Sequence, residues 1–145
     1  MQQKSLSLTE VPAMPGHHIS VGKMFSTAPH ILWDLITDTT QWPRWGPTVK
    51  AVRCSQRHIG KDSRGQVLTA VGVWLPFVIT DFEPECFWSW KVASISATGH
   101  RIQPADGGCN LWFDIPIIAA PYFIICQVAL NRIQNLLSES AGPNR

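Results

Sequence analysis

A histidine within a predicted strand is the side chain of this sequence best suited to chemistry. His100 lies two residues from Thr98 and two from Ile102, so the three share one strand face. Ile102 is expected to point inward, and His100 would then place a neutral imidazole in the interior. There it could act as a general base for an aldol or dehydration step. A histidine hydrogen-bonded within the sheet, or one facing solvent, fits the same pattern.

Three carboxylates and an arginine form a second set of candidates. Asp81 and Glu83 share a strand face, and Asp114 stands in an otherwise apolar strand. A carboxyl group in an apolar cavity could move protons, whereas on the solvent face of a half-buried sheet it would be ordinary surface charge. Arg53 alternates with apolar residues and could hold its guanidinium against an enolate or a carboxylate. An arginine on a solvated strand face is the competing interpretation.

Aromatic residues are unusually numerous. The chain has seven tryptophans and six phenylalanines beside one tyrosine, which indicates a large aromatic interior or an aromatic wall around a cavity. Trp33 and Trp42 are assigned to the core. The tryptophans that could stack against a flat ligand are Trp45, Trp74, Trp88, Trp90 and Trp112. Core packing is the usual fate of tryptophan and remains the alternative for these five.

Composition excludes several classes of protein. A net charge of +2 with 15% charged residues provides no basic stripe, so nucleic acid is not an expected partner. The four cysteines are widely spaced, with no CxxC and no histidine at ligand spacing. They are therefore predicted to be reduced thiols of a cytoplasmic protein, not disulfides or zinc ligands. With no phosphate-binding loop and no paired nucleophile and base, we expect no metal or other cofactor.

The length of 145 residues fits one domain, with boundaries set by composition. Residues 1–16 are polar and broken by prolines, which predicts a flexible N-terminal arm instead of a signal peptide. Residues 17–140 form the predicted domain, and residues 141–145 a tail. The apolar run over 115–130 is interrupted by Pro116, Pro121 and Gln127, so stable membrane insertion is not expected.

The hydrophobic pattern predicts an α+β fold. Short segments of strand character recur about every 8–12 residues with turn signals between them, which is typical of an antiparallel sheet. The predicted strands cover residues 17–25, 48–58, 66–74, 77–83, 87–93, 96–103 and 110–115. Two short helices follow the first strand, and a long helix over 121–138 ends the domain. Helices on one face of such a sheet give the α+β class.

The last helix carries two further predictions. Its inward stripe comprises Tyr122, Ile125, Cys126, Ala129, Ile133, Leu136 and Leu137. The Tyr122 hydroxyl needs a partner there, either a ligand or a backbone carbonyl. Phe123, Ile124 and Val128 lie off this stripe although they are equally apolar, so a homodimer through this helix is predicted. A nearby loop or the N-terminal arm folding over the helix is the alternative.

Several motifs together resemble a known superfamily. They are Phe25-Ser26-Thr27-Ala28-Pro29, Trp42-Pro43-Arg44-Trp45-Gly46-Pro47, Val78-Ile79-Thr80-Asp81-Phe82-Glu83-Pro84, Trp88-Ser89-Trp90 and His100-Arg101-Ile102-Gln103-Pro104. Over residues 17–140 the chain resembles the START-like (SRPBCC, helix-grip) superfamily, nearest its polyketide cyclase/dehydrase and lipid-transport branch. The resemblance implies a seven-stranded antiparallel sheet curled around the long C-terminal helix. It also implies an internal cavity for a hydrophobic ligand.

The expected function follows from this resemblance together with the candidate residues. The first hypothesis is a cofactor-independent cyclase or dehydratase, of lyase or isomerase type, acting on a polyketide-like substrate. Its expected catalytic residues are His100, Asp81, Arg53 and Tyr122. Its expected ligand-binding residues are Trp45, Trp74, Trp88, Trp90, Trp112, Phe77, Ile102 and Ile125. The alternatives are a non-catalytic carrier of a hydrophobic small molecule or lipid, and a structural partner that docks its apolar helix on another chain.

Overall fold

The computed structural model describes residues 18–116 and 123–141, which form seven strands and three helices. The strands are β1 (His18–Phe25), β2 (Val49–Cys54), β3 (Arg64–Thr69), β4 (Trp74–Glu83), β5 (Phe87–Val92), β6 (Ile95–Ala105) and β7 (Gly108–Pro116). The helices are α1 (Pro29–Thr37), the single turn α2 (Trp42–Trp45) and α3 (Phe123–Ala141). This is the element order that the sequence predicts.

The strands form one antiparallel sheet in the order β1-β7-β6-β5-β4-β3-β2. β1 pairs with β7, so the first and the last strands of the chain are neighbours in the sheet. All other pairs join strands that are neighbours in the chain. With two short helices after β1 and a long C-terminal helix, the architecture is the predicted helix-grip fold of the α+β class.

The two short helices hold one edge of the core. Pro29 occupies the first turn of α1, where its missing N–H costs nothing, and Leu32 and Ile36 lie buried on the inward face. Trp42 begins α2 and donates its indole N–H to the carbonyl of Ile36 at 2.9 Å. This bond fixes α2 against the end of α1 and positions Trp42 over the inner face of the sheet.

α3 supplies the long side of the core. Cys126, Ala129, Leu130 and Ile133 are buried, whereas Gln127 and Asn131 are exposed. Of the predicted stripe, Cys126, Ala129 and Ile133 are thus buried and Ile125, Leu136 and Leu137 are half-buried, and Leu130 is an additional buried residue. No helix within the described residues has both the length and the apolar character needed to cross a bilayer.

The face proposed for a homodimer is described only in part. Val128 is half-buried within the single chain. The side chains of Phe123 and Ile124, and all of Tyr122, lie outside the described residues.

One predicted strand is divided in two. The run over 66–74 is rich in β-branched residues, but β3 ends at Thr69 and β4 begins at Trp74. Gly72 has φ +87° and donates its N–H to the carbonyl of Thr69 at 2.9 Å, which closes a tight hairpin turn. Val71 is 84% exposed at the tip of that turn. Strand propensity misassigned the segment because the backbone freedom of one glycine outweighs two neighbouring valines.

The sheet has two ends that differ in character. The open end is defined here by Val49, Thr69, Val92 and Pro116, together with the β3–β4 and β5–β6 turns that continue from them. The closed end carries α1, residues 55–63 and the β4–β5 and β6–β7 turns. Thr69, Val92 and Pro116 of the open end line the space between the sheet and α3, and we infer that its mouth lies at this end.

Candidate functional site

Two connected cavities lie on the inner face of the sheet. The inner chamber, about 50 Å³ in volume, is lined by Trp42, Trp45, Gly46, Pro47, Thr48, Val49, Trp88, Trp90, Thr98, His100, Phe113, Ile125, Cys126 and Ala129. The vestibule, about 320 Å³, is lined by Thr48, Val49, Val67, Thr69, Trp90, Val92, Ser96, Ala97, Thr98, Ile115 and Pro116. Four residues line both, so a ligand entering at the open end would pass from the vestibule into the chamber.

His100 is the foremost titratable group of the chamber. Its ring stacks on Trp88 with centroids 3.8 Å apart and planes 13° from parallel, and Phe113 meets it edge-on at 5.1 Å. Burial lowers the pKa of His100 to about 3, because the apolar surroundings disfavour the charged imidazolium. The imidazole is therefore neutral at ordinary pH.

The hydrogen bond of His100 defines its tautomer. Nδ1 lies 3.3 Å from the carbonyl oxygen of Trp88. Because a carbonyl only accepts, Nδ1 carries the proton and donates it. Nε2 is then the nitrogen with a free lone pair, which can accept a hydrogen bond or a proton from a ligand.

Three indole N–H groups make this site rich in donors. Nε1 of Trp45, of Trp88 and of Trp90 is buried and has no hydrogen-bond partner among the described residues. All three side chains line the chamber. A buried donor without a partner costs about 1–3 kcal/mol, which a ligand with acceptor oxygens would recover. The side chains that line the chamber thus include three indole donors without a partner among the described residues and one imidazole with an acceptor nitrogen.

The aromatic wall is held by mutual stacking. Trp42 lies parallel to Trp88 at 5.5 Å and meets Trp90 edge-on at 5.3 Å. Trp45 stacks on Phe113 at 6.0 Å. Trp42 is thus both a core residue, as predicted, and part of the lining, which sequence analysis missed. The three-residue spacing of Trp42 and Trp45, which puts both on one face of a helical turn, was the available signal.

The structure places four of the eight predicted ligand-binding residues in the chamber, namely Trp45, Trp88, Trp90 and Ile125. Phe77 is buried behind this wall, 5.4 Å from Trp42 and 5.7 Å from Trp90. Ile102 is buried in the core below the lining. These two support the wall and do not line either cavity.

The two remaining predicted tryptophans lie on the outer face. Trp74 stands an odd number of residues from the inward Phe77, so strand alternation turns it outward. Arg53, a predicted catalytic residue, lies there too, with its guanidinium carbon 3.9 Å from the centre of the Trp74 ring. Trp112 lies between the inward Leu111 and Phe113, and therefore points outward.

Asp81 is displaced from the interior by a change of register. Counting by twos from Phe77 and Ile79 would turn Asp81 inward, but the pairing with β5 shifts between Ile79 and Asp81. Asp81 is consequently exposed and accepts a hydrogen bond from the Ser89 hydroxyl at 2.6 Å. Of the four predicted catalytic residues, the structure places His100 in the chamber and Asp81 and Arg53 outside it. Tyr122 lies outside the described residues.

The carboxylate of Asp114 is buried on the outer face, opposite the chamber. Arg101 Nε donates to one of its oxygens at 2.7 Å, and an Arg101 terminal nitrogen donates to the other at 2.8 Å. The Ser20 hydroxyl adds a bond of 2.7 Å. Asp114 is 0% exposed, so this two-pronged ion pair is what allows its charge to be buried.

A second carboxylate network fixes the closed end. Burial alone would raise the pKa of Asp38, but hydrogen bonds from Arg57 and Thr40 outweigh it and hold that pKa below its usual value. Arg57 reaches both oxygens of Asp38 at 3.0–3.2 Å. This network joins the end of α1 to the segment after β2, and lies far from the chamber mouth.

Neither thiol chemistry nor a metal centre is indicated in the described part of the chain. Burial raises the pKa of Cys126 to about 12, so this thiol of the chamber wall stays protonated. Across residues 18–116 and 123–141, no three His, Cys, Asp or Glu side chains are grouped so as to hold a metal ion.

Solved structures share the fold. Protein MLL2253 from Mesorhizobium loti superposes with a TM-score of 0.70 at 13% identity, covering 86% of this chain and 98% of that one. Protein NE0264 from Nitrosomonas europaea gives 0.65 at 12% identity, covering 85% and 95%. Ara h 8.0201, of the Bet v 1 type, gives 0.61 at 10% identity, covering 83% and 96%. At such identities the likeness concerns the fold alone.

Family membership comes from the sequence itself. A search of curated proteins found no match. Residues 16–121, most of the chain, match the sequence profile of the family described as polyketide cyclase/dehydrase and lipid transport. The chain, with its helix-grip sheet and its aromatic chamber, belongs to that family.

Proposed function

We propose that this protein is a cofactor-independent cyclase or dehydratase for a small polyketide-like substrate. The observation that carries the proposal is the pairing of one acceptor nitrogen with several buried donors in a single chamber. His100 Nε2 can receive a proton, and the indole N–H groups of Trp45, Trp88 and Trp90 can stabilise the oxygen on which negative charge develops. These are the two requirements of enolate chemistry.

Cavity volume supports a division of the substrate between the two spaces. The inner chamber of about 50 Å³ holds only the end of a molecule, whereas the vestibule of about 320 Å³ is at the lower limit of usual ligand sites. The body of the substrate would lie in the vestibule against Trp90 and Val92. Its reactive carbonyl end would enter the chamber beside His100.

An aldol step can be written with these groups. His100 Nε2 takes a proton from a methylene flanked by two carbonyls, and the resulting enolate oxygen accepts indole N–H bonds. The enolate carbon attacks a second carbonyl of the same molecule, forming the ring C–C bond while the C=O π electrons move to oxygen. That alkoxide takes the proton back from His100. Loss of water from the product would follow by the same proton exchange.

The low pKa of His100 suits a base that is charged only transiently. Burial lowers its pKa to about 3, because the apolar surroundings disfavour the imidazolium more than the Trp88 carbonyl and the charge of Asp114 across the sheet favour it. An enolate a few Å away supplies a counter-charge and raises the pKa while the intermediate lasts. Holding a flexible chain with its reacting atoms in contact adds several kcal/mol of rate enhancement, roughly 7–11 in favourable intramolecular systems.

The same pKa supports a second candidate, a non-catalytic carrier. A group with a pKa of about 3 is a weak base unless the ligand brings charge to it. In a carrier, His100 and the indoles would only bind the oxygen atoms of a hydrophobic small molecule or lipid. A carrier shows stoichiometric binding without product.

Turnover decides between the two. Mass spectrometry of ligands that co-purify with the protein identifies the chemical class first. Soluble short β-polyketone thioesters are then incubated with wild type, and cyclised or dehydrated products are measured by liquid chromatography and mass spectrometry. His100→Gln should abolish product yet retain binding, whereas His30→Gln, an exposed histidine of α1, should change neither. Binding without product in the wild type would establish the carrier.

A homodimer through α3 stays a separate proposal. It rests on the apolar character of Phe123, Ile124 and Val128 beside the inward stripe. Sedimentation at micromolar concentration should give a dimer that Ile124→Glu converts into folded monomer. A 16.2 kDa monomer in the wild type would contradict it.

A further inference from the structure

We propose that the open end of the sheet docks on an anionic lipid bilayer, so that a hydrophobic ligand passes between the membrane and the vestibule. The docking surface consists of Val71, Val73, Trp74 and Ile95, with Lys50, Arg53 and Lys91 around it. Docking on a membrane is a function additional to catalysis or binding in the chamber, since a cyclase or a carrier could use the same surface.

Apolar exposure is concentrated at this end. Among the described residues five large hydrophobic side chains are exposed, and three of them are on the two turns beside the vestibule mouth. Val71 is 84% exposed and Ile95 70%, the highest values of the five, and Val73 is 49% exposed. Adjacent strands lie about 4.8 Å apart, and β4 and β5 separate β3 from β6, so the two turns project side by side.

The turns themselves are built as short protrusions. Gly72 has φ +87° in the first turn, while Ala93 and Ser94 have φ +52° and +67° in the second. Two consecutive residues at positive φ are typical of a tight hairpin turn, so Ile95 follows directly at the projecting end of its hairpin. Each turn thus presents an aliphatic side chain beyond the sheet, and no element of residues 18–116 and 123–141 buries it.

Trp74 extends the same surface along the outer face. It is half-buried at the first position of β4, next to Val73, and the guanidinium of Arg53 covers its ring at 3.9 Å. Tryptophan beside a cation is a favoured combination at the level of lipid headgroups, because the ring has an apolar body and a polar edge. This assigns a role to two residues that the chamber does not use.

The charge distribution selects an anionic surface. Residues 69–76 and 92–98, which form the two turns and the adjoining strand ends, contain no charged residue. Among the described residues, the exposed charged side chains beside these segments are basic, namely Lys50, Arg53 and Lys91. The exposed carboxylates of the described chain lie at the closed end, apart from Asp81 in the middle of the sheet, and are Asp34, Asp62, Glu83, Glu85, Asp106 and Glu139. They outnumber the exposed cations of that end, which are Arg44, Arg57, Lys61 and Arg64, so the closed end is net acidic.

A bilayer with negative headgroups would therefore orient the molecule. It repels the acidic closed end and attracts the basic residues of the open end, each lysine near such a surface contributing about 1 kcal/mol. The aliphatic side chains then enter the interface, as in other peripheral contacts where apolar area and basic charge act together. In this orientation the vestibule mouth faces the lipid. A poorly soluble ligand can then move between the bilayer and the vestibule without crossing water.

Flotation with lipid vesicles tests the proposal. Wild type should float with vesicles that contain phosphatidylcholine and phosphatidylglycerol, and much less with phosphatidylcholine alone. Val71→Ser/Ile95→Ser should weaken partitioning at least about tenfold. Ile31→Ser, an aliphatic residue 47% exposed on α1 at the closed end, should leave it unchanged. Val71 and Ile95 are both largely exposed, so the double variant should still fold, as circular dichroism can verify.

The basic residues have a matched control as well. Lys50→Gln should weaken partitioning about fivefold, whereas Lys61→Gln at the closed end should not. Equal effects of the paired variants, or no flotation of wild type with either vesicle, would overturn the proposal. So would a self-association that Val71→Ser/Ile95→Ser abolishes in the absence of lipid, since the surface would then bind a second copy. Turnover of a soluble thioester is independent of vesicles, so failure here is distinguishable from failure of the proposed function.

Discussion

His100 and Arg101 are consecutive residues of β6, yet they face opposite sides of the sheet and become buried in opposite ways. His100 points into the aromatic chamber, where no carboxylate lines the wall, and loses its charge. Arg101 points outward, is half-buried, and keeps its charge because Asp114 accepts two of its N–H groups. One side chain avoids the cost of burying a charge by staying neutral, and the other by pairing.

The difference separates a reactive group from a structural one. A neutral imidazole with no carboxylate in the described chamber wall can respond to a ligand that brings charge near it. The Arg101–Asp114 pair has its donors and acceptors already engaged, so it has little to offer a ligand. The outer face of β6 therefore contributes to stability, and the inner face carries the group to which we propose a chemical role.

The largest expected effect comes from breaking the outer pair. Asp114→Asn removes the negative charge, leaves the half-buried Arg101 without its counter-ion, and should lower the free energy of unfolding by about 3–5 kcal/mol. Urea denaturation followed by circular dichroism measures this loss. Asp81→Asn on the same face is the control, since Asp81 is exposed and should cost under about 1 kcal/mol. Equal effects of the two variants would mean that the buried pair contributes no more than a surface bond.

The inner residue predicts how stability depends on pH. The pKa of His100 falls from 6.5 in the unfolded chain to about 3 in the fold. Between these values the unfolded chain binds the extra proton, so stability falls as pH falls, by about 1.4 kcal/mol per unit. From pH 7 to pH 5 the wild type should lose about 2 kcal/mol.

Subtracting the same titration in His100→Asn isolates this contribution. Asp38, whose pKa lies below its usual 3.8, loses its stabilising effect only at more acidic pH and does not overlap this range. An identical pH dependence in both proteins would show that His100 becomes protonated in the folded state. The contrast between the two faces of β6 would then disappear.

A smaller effect is expected from removing one indole donor. Trp45→Phe keeps an aromatic ring against Phe113 but deletes a buried N–H that has no partner among the described residues. The free energy of unfolding should change by less than about 1.5 kcal/mol, because two effects oppose each other. The smaller ring buries less apolar area, which destabilises the fold, whereas removing an unsatisfied buried donor stabilises it. Affinity for a carbonyl-bearing aromatic ligand, measured by calorimetry, should fall about fivefold. An unchanged affinity would show that this donor does not meet the ligand.

The smallest effect concerns the third partner of Asp114. Ser20→Ala removes the hydroxyl bond to Asp114 at 2.7 Å and the bond that the hydroxyl accepts from Arg101 at 3.3 Å, but leaves both bonds from Arg101 to Asp114 in place. We expect a loss of about 1 kcal/mol in urea denaturation. A loss as large as that of Asp114→Asn would assign the stability of the outer face to the hydroxyl instead of the ion pair.

Much of the fold was predictable because it depends on local patterns. Strand alternation gave the seven strands, Pro29 marked the start of α1, and the 3.6-residue period gave α3 and its inward stripe. One exception was the run over 66–74, where Gly72 closes a turn that strand propensity does not reveal, and another was the run over 48–58, of which only Val49–Cys54 is a strand. Trp88 and Trp90 share one face, as two residues apart on one strand must, and both line the chamber.

The site was predictable only where alternation stays regular. Trp74 and Phe77 could not both face inward, because an odd separation on one strand puts them on opposite faces. Asp81 is the opposite case. Alternation from Ile79 would turn its side chain inward, but a register shift between the two residues turns it outward. Such a shift is a property of strand pairing, and no single strand contains the information.

The sequence by itself determined which residues are able to react and which elements carry them. His100, the paired tryptophans and the basic residues of the open end are properties of composition and spacing. Only the tertiary structure decided what surrounds each of them. The state of His100, the unpartnered indoles and the buried Asp114 depend on contacts between β5, β6 and β7 and the helices. The physical reason is that charge and hydrogen bonding respond to neighbours in space, many of which are distant in the chain.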